Sequence, residues 1–274
     1  MTRKTTTDRS MQPAEFRAYH EPALEADEVK HGLIVNALRQ MRGEKSAEVS
    51  YWSLGKPGEC AIKMGRHSIV LGALDEGQCR KLAELTAHTD YPGVIGPDRT
   101  AKWLTDRARE LGLRFLEPQQ QQIYSISDKP RYTGARGHAR RVTIEDAALL
   151  ADRLIAFHRE ADPHDPLPPR AELEHAACED RFPFWIDNGQ PVSMAGIGRR
   201  LKHSAAITGV YTPPEMRRRG YAGSITAATV ECIYAEGRKI ACLYADRRNP
   251  ASNRCYAKIG FTPVCKSLHF YRNL

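Results

Sequence analysis

The stretch from Ile207 to Phe261 constrains the fold of this chain more than any other, and Arg217-Arg218-Arg219-Gly220-Tyr221-Ala222 is its centre. Before that centre, Ile207-Thr208-Gly209-Val210-Tyr211-Thr212 is β-branched and aromatic and reads as a strand, which Pro213-Pro214 ends. From Ala222 the apolar residues recur at Ile225, Ala228, Cys232 and Ala235, the period of a helix with one buried stripe, and Gly237 is placed to close it. Ile240 to Ala245 is then nearly unbroken apolar, as suits a parallel strand covered on both faces. The order is strand, glycine turn, helix, strand.

Chemistry follows from that order. A helix N-terminus presents backbone N–H groups without internal partners and a partial positive charge, so it favours phosphate. Gly220, Ala222 and Gly223 are small enough to let an anion near the backbone, and Arg217, Arg218 and Arg219 add long-range attraction. On these grounds a pyrophosphate is expected at the turn. Downstream, Asn249-Pro250-Ala251-Ser252-Asn253-Arg254-Cys255-Tyr256-Ala257-Lys258-Ile259-Gly260-Phe261 carries a capping asparagine, a proline for the first helical turn and a glycine stop. Asn253 and Tyr256 share a face of that helix.

Arg217-x-x-Gly220-x-Ala222 after a Val-Tyr-Thr strand, followed in order by Asn249-Pro250-x-Ser252-Asn253-x-x-Tyr256-x-Lys258-Ile259-Gly260-Phe261, resembles the two cofactor motifs of the GNAT superfamily of N-acetyltransferases. The resemblance covers 135–274 and is most specific over 207–263. It implies a mixed central sheet, an antiparallel meander followed by a splayed parallel strand pair, with helices on both faces. It also implies that the pantetheine arm of acetyl-CoA pairs with strand backbone around Val210, Tyr211 and Thr212. The pyrophosphate would lie on the amides from Arg218 to Gly223, with Arg217 and Tyr221 in the same corner. The asparagine matching Asn249 contacts the cofactor arm, Asn253 stands beside it, and the tyrosine matching Tyr256 protonates the departing thiolate. A general acid has to lie within hydrogen-bond reach of the leaving group, so that role is physically sensible.

Composition bounds the rest. The chain has 274 residues, 41% hydrophobic and 27% charged, enough for one large or two modest domains, each with its own core. Its formal net charge of +8 suits polyanions, but a CoA site also calls for positive charge, and no RNA or DNA module signature appears, so nucleic acid is not expected as a partner. Seven scattered cysteines with no C-x-x-C pair suit a reducing cytoplasm. No apolar run approaches a membrane span and no signal core follows the N-terminus. A monomer or homodimer is expected.

Read in order, residues 1–20 are polar and expected to be loose, and a helix fits 23–42 with Gly43 as its stop. Strand-like runs follow at 49–54, 60–64 and 68–74, helices at 77–88 and 98–111 around a strand near Val94, and another strand at 122–126. This order is similar to a partial second copy of the same fold, giving an N-terminal GNAT-like lobe over 1–130 and a catalytic domain over 136–274. Aligned on that basis, Asp75-Glu76-Gly77 replaces the arginine-glycine turn, and two carboxylates there would repel a pyrophosphate. Residues 129–140 are basic and glycine-containing and read as a linker. Thr143-x-x-Asp146 resembles a capping box before a helix at 147–158, a second helix fits 170–180, and Asn188-Gly189 between apolar runs marks a hairpin.

Other chemistry-bearing residues have blander readings. His158, Asp162, His164 and Asp165 lie in a proline-containing loop of irregular spacing, so no metal is called for. Ser224 lacks a nucleophile elbow, and Cys255 reads as packing. Where many members of the family carry a glutamate on the central strand, this chain has Ala205, Ala206, Ile207 and Thr208. The general base is therefore unassigned among Glu174, Glu179, Asp180, Asp187 and His203, with release of the amine proton to water as a further route. The expected activity is acetyl transfer from acetyl-CoA to a primary amine of a small molecule or peptide. The rivals are an acyl-CoA-binding sensor or scaffold without chemistry, and an enzyme for protein- or RNA-linked amines.

Overall fold

The computed structural model describes residues 11–41 and 49–273. In chain order the elements are α1 (Pro13–Glu25), α2 (Glu28–Gln40), β1 (Val49–Ser53), β2 (Cys60–Met64), β3 (Ile69–Leu71), α3 (Glu76–Thr86), β4 (Gly93–Pro97), α4 (Asp98–Glu110) and β5 (Gln119–Ile126). There follow β6 (His138–Arg141), α5 (Ala147–Ala161), α6 (Arg170–His175), β7 (Pro183–Asp187), β8 (Gln190–Arg200), β9 (Ser204–Tyr211), α7 (Tyr221–Ala235), β10 (Ile240–Asp246), α8 (Pro250–Ile259) and β11 (Thr262–Tyr271). No helix among the described residues is long and apolar enough to cross a membrane.

Contacts divide the chain into two compact units: 1–123 with 246–248 and 264–274, and 124–245 with 249–263. This division departs from the expected 1–130 and 136–274, because the final strand packs mostly in the first unit while 124–130 joins the second.

In the first unit β1, β2 and β3 form an antiparallel meander, β3 runs parallel to β4 through Ile69↔Val94 and Val70↔Ile95, and β11 pairs antiparallel with β4 from Ser267↔Pro97 to Tyr271↔Gly93. Trp52, Ile69, Leu71, Leu82, Val94, Leu104 and Phe270 build its core. The expected helix over 23–42 is two helices. Asp27 accepts a hydrogen bond from the Lys30 amide and so starts α2 afresh after α1. Residues 13–20, expected to be loose, belong to α1, which a Gln12–Glu15 capping box opens and Phe16 and Leu24 anchor. Residues 1–10 and the expected stop at Gly43 lie outside the described residues.

In the second unit the strand order is β10-β9-β8-β7-β6, and residues 124–126, the end of β5, belong to the same unit. The strands from β6 to β9 are antiparallel and β9 runs parallel to β10. One face of the sheet is covered by α7, whose Ile225, Ala228, Val230 and Ile233 join Ile207, Leu243, Tyr256 and Phe261 in one cluster. The other packs against α5, through Leu150 and Leu154 with Phe184, Met194 and Tyr211. The expected linker is partly strand, since β6 pairs with β7 from His138↔Ile186 to Arg141↔Pro183. The second helix stops at His175 and continues only as a 3-10 turn over Ala176–Cys178. Asn188 and Gly189 both take positive φ, 48° and 74°, which is the two-residue hairpin turn their sequence asks for.

Candidate active site

The end of β9 is where the sheet opens. Its parallel ladder with β10 runs from Ser204↔Ile240 to Ile207↔Leu243, and both strands continue beyond it. On the other side the register with β8 slips, Gly196 facing Thr208 but Met194 facing Tyr211, so β9 carries one extra residue there. Gly209 absorbs that bulge at φ 59°, a value L side chains rarely adopt. Val210 lies just past it, partly exposed, while Tyr211 and Thr212 are buried. Ser193 fixes this end, its Oγ donating to the Tyr211 carbonyl at 3.1 Å and sharing a hydrogen bond of 2.8 Å with Thr212 Oγ1.

The turn into α7 departs from the simple picture of three arginines aimed at an anion. Arg217 donates from Nε to the Thr212 carbonyl at 2.8 Å and from Nη2 to both carboxylate oxygens of Glu160 on α5 at 2.8 Å. It thereby ties the turn to the scaffold. Arg219 reaches back to the Glu215 carbonyl at 3.5 Å. Arg218 is exposed, takes a left-handed φ of 66°, and among the described residues has no hydrogen bond or ion pair from its side chain. Gly220, the residue before α7, sits at φ 83°, and no side chain caps the helix. The first amides of α7 are thus left to solvent or to an anion, and two left-handed residues frame them.

Two residues of the turn face the other way. The Tyr221 ring is in the core and its hydroxyl donates to Asp187, a bond that raises the phenol above its ordinary range. A Cβ on Gly223 would meet Thr133 Cγ2 at 2.3 Å and Cys255 Sγ at 3.3 Å. The glycine therefore lets the 129–137 segment and α8 close on α7, a packing reason beside the expected one of anion approach. Thr133 Oγ1 donates to the Gly220 carbonyl at 2.6 Å and shares a hydrogen bond of 2.9 Å with Ser224 Oγ.

On α8, Asn249 Oδ1 accepts from the Ser252 amide at 3.1 Å and so caps the helix as its position suggests. Asn253 donates from Nδ2 to the Asn249 carbonyl at 2.8 Å, and its Oδ1 accepts from Tyr124 Oη of β5 at 3.1 Å. The Tyr256 side chain is buried, 9% exposed, between Tyr124 at 6.3 Å and Phe261 at 6.0 Å between ring centroids. Among the described residues its hydroxyl makes no hydrogen bond. Burial, with a smaller contribution from Cys255, holds the phenol well above its ordinary range, so it stays protonated. Burial also pushes the Cys255 thiol up, as suits a packing cysteine.

Every candidate base carboxylate is engaged: Glu174 with Arg170, Glu179 with Arg181, Asp180 with Arg141, and Asp187 with Tyr221. His203 is exposed, and its carbonyl accepts from the Lys239 and Ile240 amides. His158 Nε2 donates to the Asp165 carbonyl at 2.8 Å, which closes the loop with metal-like side chains on itself. Local sequence pattern does not reach Tyr124, Thr133 and Ser193, because each acts through a partner distant along the chain.

Residues 186–270 match the family model described as FR47-like protein. No curated protein matches the chain. Among solved structures, a Drosophila protein is similar over 96% of this chain and 97% of its own, with a TM-score of 0.68 and 13% identity. A GCN5-related N-acetyltransferase from Kribbella flavida is similar over 93% and 95%, with a TM-score of 0.58 and 16% identity. Another from Sphaerobacter thermophilus is similar over 98% and 97%, with a TM-score of 0.57 and 14% identity. The chain has the GNAT fold. Within it, the FR47-like pattern covers β8 to β11 and with them the turn, α7 and α8.

Proposed function

We propose that the protein is an acetyl-CoA-dependent N-acetyltransferase whose site lies where β9 leaves β10, at the uncapped N-terminus of α7 and beside Tyr256. The observation that carries this reading is the combination of bare α7 amides with a buried, protonated and unbonded phenol on the adjoining helix. Acetyl-CoA, when bound, supplies an activated thioester. The amides from Arg218 to Gly223 hold its diphosphate, with Arg218 as the arginine left to follow it. Val210 to Thr212 offer strand backbone past the ladder to pantetheine, and an N–H near Val210 polarises the acyl carbonyl. Asn249, whose Oδ1 is spent on the cap, has its amide nitrogen to donate. Tyr256 protonates the departing sulfur.

The first unit supports a reading as a degenerate copy. With β11 as its last strand it runs helix, helix, three strands, helix, strand, helix, strand; from α5 to α8 the second unit again runs helix, helix, three strands, helix, strand, helix. At the corresponding helix entry, however, Asp75 caps α3 by accepting from the Gln78 amide at 2.8 Å, and Glu76 follows. That corner is closed and acidic, whereas the α7 corner is open.

A second reading, an acyl-CoA binder without chemistry, rests on the partners that engage each candidate base carboxylate, an arginine for Glu174, Glu179 and Asp180 and the Tyr221 hydroxyl for Asp187. Release of thiol from acetyl-CoA with a panel of amines separates the two. Turnover that falls in Tyr256→Phe while acetyl-CoA affinity persists supports the enzyme; tight binding with no turnover on any amine supports the binder.

A further inference from the structure

We infer that Tyr124 is a positioning residue for the Tyr256 hydroxyl, acting through Asn253; the inference rests on the acyl-transfer reading of that site. Tyr124 belongs to β5, which precedes the 129–137 segment and lies outside the stretch 186–270 that matches the family model. Its hydroxyl donates to Asn253 Oδ1 at 3.1 Å, and Asn253 Nδ2 donates to the Asn249 carbonyl at 2.8 Å. The two bonds fix which end of the Asn253 amide faces which partner, and through it the first turn of α8 is tied to the sheet. Tyr256 leaves α8 three residues beyond Asn253, on the same face, and its ring lies 6.3 Å from that of Tyr124 between centroids, tilted by 52°. Tyr256 has no hydrogen bond of its own to set its hydroxyl among the described residues. Its aim therefore depends on the helix it leaves and on the rings beside it. Tyr124 supplies both constraints, a polar tie to the helix and an aromatic wall.

The test is Tyr124→Phe, which keeps the wall and removes the tie. Expected is a kcat lowered about tenfold with acetyl-CoA affinity unchanged within about twofold, the size of one lost hydrogen bond expressed in the reacting geometry. In a Tyr256→Phe background the same change should lower kcat no further, because there is no hydroxyl left to aim. A readout independent of turnover is the ring-flip exchange of Tyr256 in protein carrying carbon-13 tyrosine, followed by NMR, because the packing of α8 and the rings beside it sets how freely that ring turns. Loosening α8 should speed that exchange in Tyr124→Phe. An unchanged kcat and unchanged ring exchange overturn the inference, as does an additive loss in the Tyr256→Phe background. Turnover that depends on Tyr256 but not on Tyr124 overturns this link alone. A protein inactive on every amine whose Tyr256 ring exchange still responds to Tyr124→Phe loses the acyl-transfer reading and keeps the link.

Discussion

At the scale of single residues, the account depends on a phenol kept neutral by burial and a glycine kept left-handed by the turn. Tyr256→Phe should lower kcat of thiol release by about a hundredfold, the lower end of what a general acid contributes, with acetyl-CoA affinity intact by calorimetry. Because the Tyr256 phenol lies above its ordinary range, its acid function should persist as pH rises to that range. A kcat profile falling already below pH ~10, the ordinary tyrosine value, would speak against Tyr256 as the acid. Gly220→Val would place a β-branched side chain at φ 83° and 3.0 Å from Thr133 Oγ1. A loss on the order of 1–2 kcal/mol is expected in denaturant unfolding, with weaker CoA binding as the amides of α7 lose their frame.

At the scale of elements, the first unit carries a pH dependence of its own. His20 on α1 is buried, its Nδ1 accepts from the Gly58 amide at 3.1 Å, and its Nε2 donates to Ser53 Oγ of β1 at 3.1 Å. Burial lowers its pKa from 6.5 to about 4, and burial does the same to His31 on α2. A lowered folded pKa means the neutral form is the native one. Stability is then complete above the unfolded value near 6.5 and declines as pH falls toward 4, by on the order of 3 kcal/mol for His20. Urea midpoints between pH 7 and 4 should show this decline, and His20→Gln should reduce its slope; equal slopes would remove His20 from the explanation. Elements with strong local signals were legible from sequence: Asn188-Gly189 as a hairpin, Thr143 with Asp146 as a capping box, and Asn249 as a cap. The break between α1 and α2 was not, because Asp27 sits in a run of acidic residues and the apolar stripe beyond it hides a fresh start. The arginines of the turn were legible as a cluster but not as partners. Whether Arg217 faces an anion or Glu160 is decided by α5, which lies far away in sequence.

At the scale of the whole molecule, the final strand is legible over 263–272, and its pairing is what no local pattern announces. β11 follows α8, yet it pairs with β4 and places Phe270 in the core of the first unit, while β5 follows α4 and borders β10. Apolar alternation marks a strand but carries no record of its neighbour, so a boundary near 130 with the tail assigned to the second lobe was the natural reading. Phe270→Ala should destabilise the first unit by about 3–5 kcal/mol, as loss of a buried aromatic does, with hydrogen exchange accelerating first in β4. Acceleration confined to α7 and α8 would contradict that placement. The central claim is that bare amides at the start of α7 hold the diphosphate of coenzyme A. Its most direct test is amide NMR of Arg218 to Gly223 during titration with CoA and, separately, with pantetheine, which lacks the diphosphate. The account predicts saturable shifts at those amides with CoA and none there with pantetheine; CoA that leaves them unmoved, or binds with its shifts elsewhere, would contradict it.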